Sequence, residues 1–203
     1  MKSLLTKQEL IDFELDIADT FNSGIIKAPS HLYSGNEDQM IDIFKNINED
    51  DWLFCSWRSH YQCLLKGVPK DILKQDIIDG KSITLCYPEF KIYSSAIVTG
   101  NIPIATGTAF DIKRKGSDNH VWCFVGDMTS ETGTFYENHK YAVNHNLPIT
   151  YVVEDNGKSV CSDTLAVWNI EELTYSRKDL PKVIYYKYET KYPHAGSGKR
   201  IQF

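Results

Sequence analysis

Short apolar runs alternate with longer amphipathic segments along this chain of 203 residues, a pattern typical of α/β proteins. Unbroken apolar runs at 52–56, 121–125 and 149–153 predict parallel strands buried on both faces, and 182–188 predicts a further strand. Apolar residues at helical spacing predict helices at 4–22, 37–47, 69–80, 103–113 and 130–146, whereas 82–93 is predicted to be irregular. The order of elements predicts a three-layer, mostly parallel sheet with helices on both faces, as one domain over residues 1–203.

The segment between residues 121 and 157 predicts one strand–helix–strand unit with a polar residue at the end of each strand. Asp127 follows the first strand and Asn156 follows the second. Because parallel strands end at one edge of a sheet, both side chains are expected where open α/β sheets bind ligands. Two oxygen donors suit a hard cation such as Mg²⁺, and a helix beginning near Ser130 would add backbone donors for phosphates. Alternatively, both residues only cap turns.

Composition and charge narrow the class of protein. The chain is 42% hydrophobic, which is enough for one sizeable core, and its net charge of −5 argues against a nucleic-acid surface or a polybasic membrane patch. It has no long apolar span and no secretory signal at its amino terminus. Five scattered cysteines without a CxxC pair indicate reduced thiols. A cytoplasmic protein is expected.

Two motifs carry a resemblance to a known family. Gly126-Asp127, followed by Asn156 after an apolar strand, resembles the thiamine-diphosphate motif, and residues 31–37 (HLYSGNE) resemble a His-Leu-x-x-Gly-Gln-Glu segment. Together they resemble the alpha subunit of the decarboxylating component of 2-oxo acid dehydrogenases, from about His31 to His194. The resemblance implies the thiamine-diphosphate-binding fold, with thiamine diphosphate and Mg²⁺ as cofactors. The chain is shorter than a full alpha subunit of that family.

The resemblance also implies roles for individual residues. The implied cofactor-binding positions are Trp57, Arg58, Ala96, Val98, Asp127, Met128, Thr129 and Asn156, and the implied Mg²⁺ ligands are Asp127, Asn156 and the backbone carbonyl of Lys158. Arg58 and Thr129 would hold the diphosphate. Met128 stands where the family usually has Gly, and Trp57 where it often has Tyr, so a phenolic contact to the cofactor would be missing.

Two histidines are the implied catalytic residues. His60 would lie near the reacting thiazolium, and His194 matches a histidine on the family's active-site loop, here at about 190–203. Without the resemblance, Arg58 would be a surface ion-pair partner and His60 a capping histidine. Residues after 192 would be a solvated tail.

The implied function is half of a two-chain enzyme. In the family a glutamate of the beta-type chain activates the cofactor, and no candidate for it is found in this sequence. A beta-type partner, in a heterotetramer, would complete the site for decarboxylating a 2-oxo acid and transferring the acyl or aldehyde unit. A small biosynthetic carboligase or decarboxylase is an equal alternative to a dehydrogenase component. Two further alternatives are a degenerate scaffold that has lost the cofactor and the amino-terminal half of a split transketolase.

Overall fold

A computed structural model describes residues 5–177 and 180–198. Local sequence signals account for several helix ends. Thr6 and Glu9 form a reciprocal capping box at the start of the first helix, and Gly67 and Gly116 end two others in the left-handed conformation. The helices are α1 (Lys7–Asn22), α2 (Glu37–Phe44), α3 (His60–Lys66), α4 (Lys70–Ile78), α5 (Asn101–Lys115), α6 (Asp127–Ser130), α7 (Gly133–Asn144) and α8 (Thr164–Trp168).

The strands form one six-stranded sheet and one small hairpin. They are β1 (Trp52–Cys55), β2 (Cys86–Tyr87), β3 (Ile92–Ser94), β4 (Val121–Gly126), β5 (Ile149–Asp155), β6 (Lys158–Ser159), β7 (Ser162–Asp163) and β8 (Val183–Lys187). The sheet order is β2-β3-β1-β4-β5-β8, and β6 pairs with β7 in the hairpin. All neighbours in the large sheet are parallel except β2, which runs antiparallel to β3 at the edge.

Alternating residues of the strands enter two separate hydrophobic cores. On one face, Leu53, Phe124 and Val152 pack with helices α1 to α4. On the other face, Val125 and Tyr151 pack with α5 and α7. All five residues 121–125 are buried, as expected for a central parallel strand. The predicted three-layer, mostly parallel architecture is therefore confirmed.

Three local predictions need correction. Residues 82–93 were expected to be irregular, yet they contain β2 and most of β3, which lies beside β1. These strands are too short to show a hydrophobic period. They are specified by pairing with neighbouring strands and not by the local sequence. The helix expected from Ser130 begins instead at Gly133, where the Thr132 side chain caps α7 by accepting from the Phe135 amide, and α6 is a separate turn before it. Helix α5 also begins earlier than predicted, at Asn101.

Residues 189–198, which we call the strap, pack against the amino-terminal half of the chain. The Gly196 amide donates to the Ser30 carbonyl over 2.8 Å, and the Lys191 amide donates to Ser34 Oγ over 2.9 Å. Tyr192 is buried in the first core. The alternative of a solvated tail is therefore wrong for the strap, while residues 199–203 lie outside the described residues.

No helix within residues 5–177 and 180–198 is both long and apolar enough to cross a membrane.

Candidate functional site

Loops at the carboxyl ends of β1, β4, β5 and β8 enclose a cavity of about 480 Å³. This volume lies in the range of roughly 300–1,000 Å³ that is common for small-molecule sites. Polar and charged residues from each of the four loops line the cavity, and the strap forms one wall. The cavity therefore occupies the edge of the sheet at which ligand binding was predicted.

Asp127 lies at the bottom of this cavity, at the junction of β4 and α6. Its carboxylate is almost completely buried and accepts a hydrogen bond from the Thr164 hydroxyl. Burial raises the pKa of Asp127 to about 6, opposed by the Thr164 hydrogen bond and supported by the nearby Asp155. The charged form of Asp127 is thus costly, and a bound cation would offset that cost.

Asn156 follows the neighbouring strand and also lines the cavity. Its Oδ1 accepts a hydrogen bond from the Lys158 amide over 3.1 Å, so it does cap a turn. Gly157, at φ +74°, allows the tight reversal between them. A carbonyl oxygen has two lone pairs, so this turn leaves one acceptor position for a ligand. The capping alternative and the ligand role are therefore compatible.

Arg58 reaches the cavity from the loop after β1. Its Nε donates to the Leu32 carbonyl over 3.1 Å, and its guanidinium lies 5.8 Å from the centre of the Tyr33 ring. Burial raises the pKa of Tyr188 to about 12, and the neighbouring Arg58 partly offsets this rise. No ion pair of Arg58 occurs among the salt bridges of the described residues, so the predicted alternative of a surface ion pair is not what the structure shows.

Trp57 and His194 form the opposite side of the cavity. Their rings meet edge to face with centroids 5.8 Å apart. The His194 carbonyl accepts a hydrogen bond from His31 Nδ1, and the two imidazoles lie 4.5 Å apart. Burial, and then the charge of Arg58, lower the pKa of His194. The strap thus brings His194 to the predicted site.

Met128 and Thr129 line the cavity from α6. Met128 is in a right-handed helical turn, so the conformational freedom of the family's usual Gly is not needed at this position. The effect of the substitution is instead the addition of a side chain to the cavity wall.

Three of the predicted residues do not line the cavity. His60 is fully buried, its Nδ1 bound to the Glu14 carboxylate at 3.1 Å and its Nε2 to Ser82 Oγ at 2.9 Å. Ala96 and Val98 lie on an exposed loop after β3. A catalytic role of His60 therefore has no geometric support in this chain.

Glu154, which the sequence analysis missed, also lines the cavity and is 5% exposed. It accepts hydrogen bonds from the hydroxyls of Tyr33, at 3.0 Å, and Tyr186, at 2.5 Å. Burial raises its pKa to about 7, against the effect of these hydroxyls and of Arg58. A carboxylate near the end of an otherwise apolar strand, two residues before Asn156, was the available signal.

The described residues contain no group of three or more His, Cys, Asp or Glu side chains that could hold a metal ion. The candidate ligands are instead one carboxylate, one amide and one backbone carbonyl. This donor set suits Mg²⁺, which takes few protein ligands and completes its shell with phosphate and water oxygens.

The fold and the cavity define an open α/β protein with a ligand site at the carboxyl edge of a parallel sheet. Residues 6–174 match the family model described as dehydrogenase E1 component. The chain belongs to this family.

Curated relatives support the assignment. The alpha subunit of acetoin:2,6-dichlorophenolindophenol oxidoreductase from Bacillus subtilis is 28% identical over 205 residues, covering 88% of this chain and 61% of that protein. The alpha subunit of the pyruvate dehydrogenase E1 component from Porphyra purpurea is 29% identical, covering 71% of this chain and 47% of that protein. The chain therefore spans about half of the length of its relatives.

Among solved structures, a Mycobacterium smegmatis protein described as a thiamin diphosphate-dependent enzyme is similar, with a TM-score of 0.45 and 18% identity. The similar region covers 75% of this chain and 25% of the chain of that protein. Our fold assignment rests on the sheet topology and not on this similarity.

Proposed function

We propose that this chain is an alpha-type subunit that binds thiamine diphosphate through Mg²⁺ and acts on a 2-oxo acid together with a beta-type chain. The observation that carries the proposal is the meeting of Asp127, Asn156 and Arg58 in one cavity. A carboxylate and an amide for a hard cation lie beside a guanidinium for phosphate, on strands that are adjacent in the sheet.

Asp127 and Asn156 would hold Mg²⁺ with their side chains and Lys158 with its carbonyl. The chemistry of Asp127 supports this role. The hydrogen-bond donors to its carboxylate, the Thr164 hydroxyl and the backbone amides of Asp127 and Asn156, are all neutral, and its raised pKa reflects the cost of a buried negative charge. A divalent cation would offset this cost.

Arg58 and Thr129 would bind the diphosphate, and Trp57 and Met128 would shape the wall beside it. The Arg58 guanidinium is held by the Leu32 carbonyl and by a hydrogen bond with the Tyr188 side chain, and its remaining N–H groups would bind phosphate oxygens. A guanidinium whose position is set before binding loses little entropy when the anion arrives.

The reacting half of the cofactor would lie between this chain and its partner. Ala96 and Val98 are exposed, which suits residues that meet an aminopyrimidine enclosed only after a second chain docks. Thiamine diphosphate supplies carbanion stabilisation through its ylid. The beta-type partner would supply the activating glutamate, and His194, at the cavity wall, would move protons or polarise the substrate carbonyl. A heterotetramer and a decarboxylation followed by acyl or aldehyde transfer complete the proposal.

Isothermal titration of thiamine diphosphate with Mg²⁺ tests the proposal. We expect metal-dependent binding that is lost in Asp127→Ala and retained in Asp111→Ala, since Asp111 is a surface residue of α5 paired with Lys115. The titration is repeated with the beta-type chain, and tighter binding with the partner would support the half-site. Absence of binding to the folded chain in both settings would contradict the proposal and favour the degenerate scaffold.

A further inference from the structure

The loop that carries Arg58 and the segment that carries Tyr33 meet beside the buried carboxylate of Glu154. The Tyr33 hydroxyl lies 3.0 Å from Glu154 Oε1 and 3.0 Å from the Arg58 carbonyl, and Gln62 donates to it over 2.7 Å. Tyr33 is 1% exposed, so its ring cannot turn away into solvent. The hydroxyl thus ties the backbone of Arg58 to the carboxylate on β5.

The same carboxylate reaches β8 and the start of α2. Oε1 of Glu154 accepts from the Tyr186 hydroxyl over 2.5 Å and lies 3.4 Å from the Asn36 amide nitrogen, which also contacts the Tyr186 hydroxyl at 3.0 Å. Two segments that are far apart in sequence, residues 33–36 and β8, therefore converge on this one side chain. Without it, the buried hydroxyls of both tyrosines would lose an acceptor.

Arg58 depends on this arrangement because its contacts, apart from a side-chain hydrogen bond with Tyr188, are to Leu32 and Tyr33. Its Nε donates to the Leu32 carbonyl, next to Tyr33, and its guanidinium lies over the Tyr33 ring. No hydrogen bond joins Glu154 to Arg58 within the described part of the chain, so the influence of Glu154 on Arg58 passes through the position of Tyr33 and through electrostatic attraction. A change at Glu154 would therefore move Arg58.

We infer that Glu154 is a positioning residue, which holds Tyr33 and thereby sets the Arg58 guanidinium for the diphosphate. The inference rests on the proposed function. It assigns to Glu154 no contact with the cofactor and no proton transfer. The essential property is its capacity to accept hydrogen bonds from two buried hydroxyls, which a glutamine oxygen of similar size shares.

The first experiment measures cofactor affinity by titration of thiamine diphosphate with Mg²⁺. We expect Glu154→Ala and Tyr33→Phe each to weaken binding about tenfold, the consequence of one lost buried hydrogen bond. Glu154→Gln restores affinity close to that of the unchanged protein. In an Arg58→Ala background, Glu154→Ala has no additional effect. Equal weakening by Glu154→Ala with and without Arg58 would overturn the inference.

The second experiment needs no cofactor. Phenylglyoxal modifies accessible arginines, and mass spectrometry measures the rate at each one. We expect faster modification of Arg58 in Glu154→Ala and Tyr33→Phe than in the unchanged protein or in Glu154→Gln. Arg114, an exposed residue of α5, is the internal control. An unchanged rate at Arg58 in the Ala variant would overturn the inference even if the protein binds no thiamine diphosphate, so the two proposals fail separately.

Discussion

The hydroxyl of Thr164 donates a hydrogen bond to the carboxylate of Asp127, from a helix that begins 37 residues later in the chain. Thr164 is 1% exposed, and Asp127 is buried to the same degree. The contact joins α8 to the end of β4 and holds the proposed metal ligand in place. It opposes the rise in the pKa of Asp127 that burial causes.

Thr164→Val keeps the shape of the side chain and removes this donor. We expect the pKa of Asp127 to rise further and the Mg²⁺-dependent affinity for thiamine diphosphate to fall about tenfold, as expected for one lost hydrogen bond to a charged group. Calorimetric titration measures the affinity. Thr108→Val is the control, because the Thr108 hydroxyl bonds only within α5, to the Ile104 carbonyl. Equal affinities of the two variants would contradict this role of Thr164.

Gly35 lies against the first residue of the strap, Glu189. A Cβ at this position would overlap the Glu189 carbonyl oxygen, and φ is +86°. We expect Gly35→Ala to lower the free energy of unfolding by about 3 kcal/mol, since backbone overlap adds to conformational strain.

Gly24→Ala is the matched control for Gly35. Gly24 also has a positive φ, +77°, but a Cβ there meets nothing within 4 Å. We expect the free energy of unfolding to fall by only about 1 kcal/mol, because only the conformational strain is added. Urea denaturation of both variants measures the difference. A loss at Gly35 no larger than that at Gly24 would show that the strap can move away without cost.

His31 makes stability depend on pH. It is 4% exposed, and burial lowers its pKa to about 3, opposed by the hydrogen bond to the His194 carbonyl and assisted by the positive charge of nearby Arg58. The unfolded chain, with an ordinary histidine pKa near 6.5, binds more protons than the folded chain between these values. The free energy of unfolding attributable to His31 is therefore fully present above about pH 6.5 and is lost as the pH falls towards 3.

The measurement is urea denaturation at a series of pH values from 7 down to 4. We expect His31→Gln to show a shallower fall of the free energy of unfolding than the unchanged protein. His145→Gln, at an exposed histidine at the end of α7, is the control and should follow the unchanged protein. If the free energy of unfolding falls equally with pH in all three proteins, His31 is excluded as the source of the pH dependence.

Substitution of His60 distinguishes a structural role of this residue from a catalytic one. Its two ring nitrogens contact Glu14 and Ser82 in a fully buried chain of side chains. We expect His60→Ala to lower the free energy of unfolding by about 3 kcal/mol, because the Glu14 carboxylate loses its side-chain partner without reaching water. Ser82→Ala should cost about 1 kcal/mol. Unchanged stability of His60→Ala together with lost turnover would instead support the catalytic prediction.

Much of the architecture could be predicted from local patterns. The unbroken apolar runs of β4 and β5 are long enough to be recognised as buried strands, and both were placed correctly. Because parallel strands end at the same edge of a sheet, Asp127 and Asn156 could be predicted to lie close together without any knowledge of the other strands. Strands β2 and β3 escaped prediction because two or three residues carry no period.

The sequence by itself thus determined the α/β class, the family, and the pairing of Asp127 with Asn156 across adjacent strands. Only the tertiary structure decided that His60 is enclosed, that the strap forms a wall of the cavity, that Glu154 lines it, and that Thr164 contacts Asp127. Each of these depends on side chains far apart in sequence, such as Tyr33 and Glu154. Contacts of this kind leave no local period or spacing, because they arise only when the helices pack on the finished sheet.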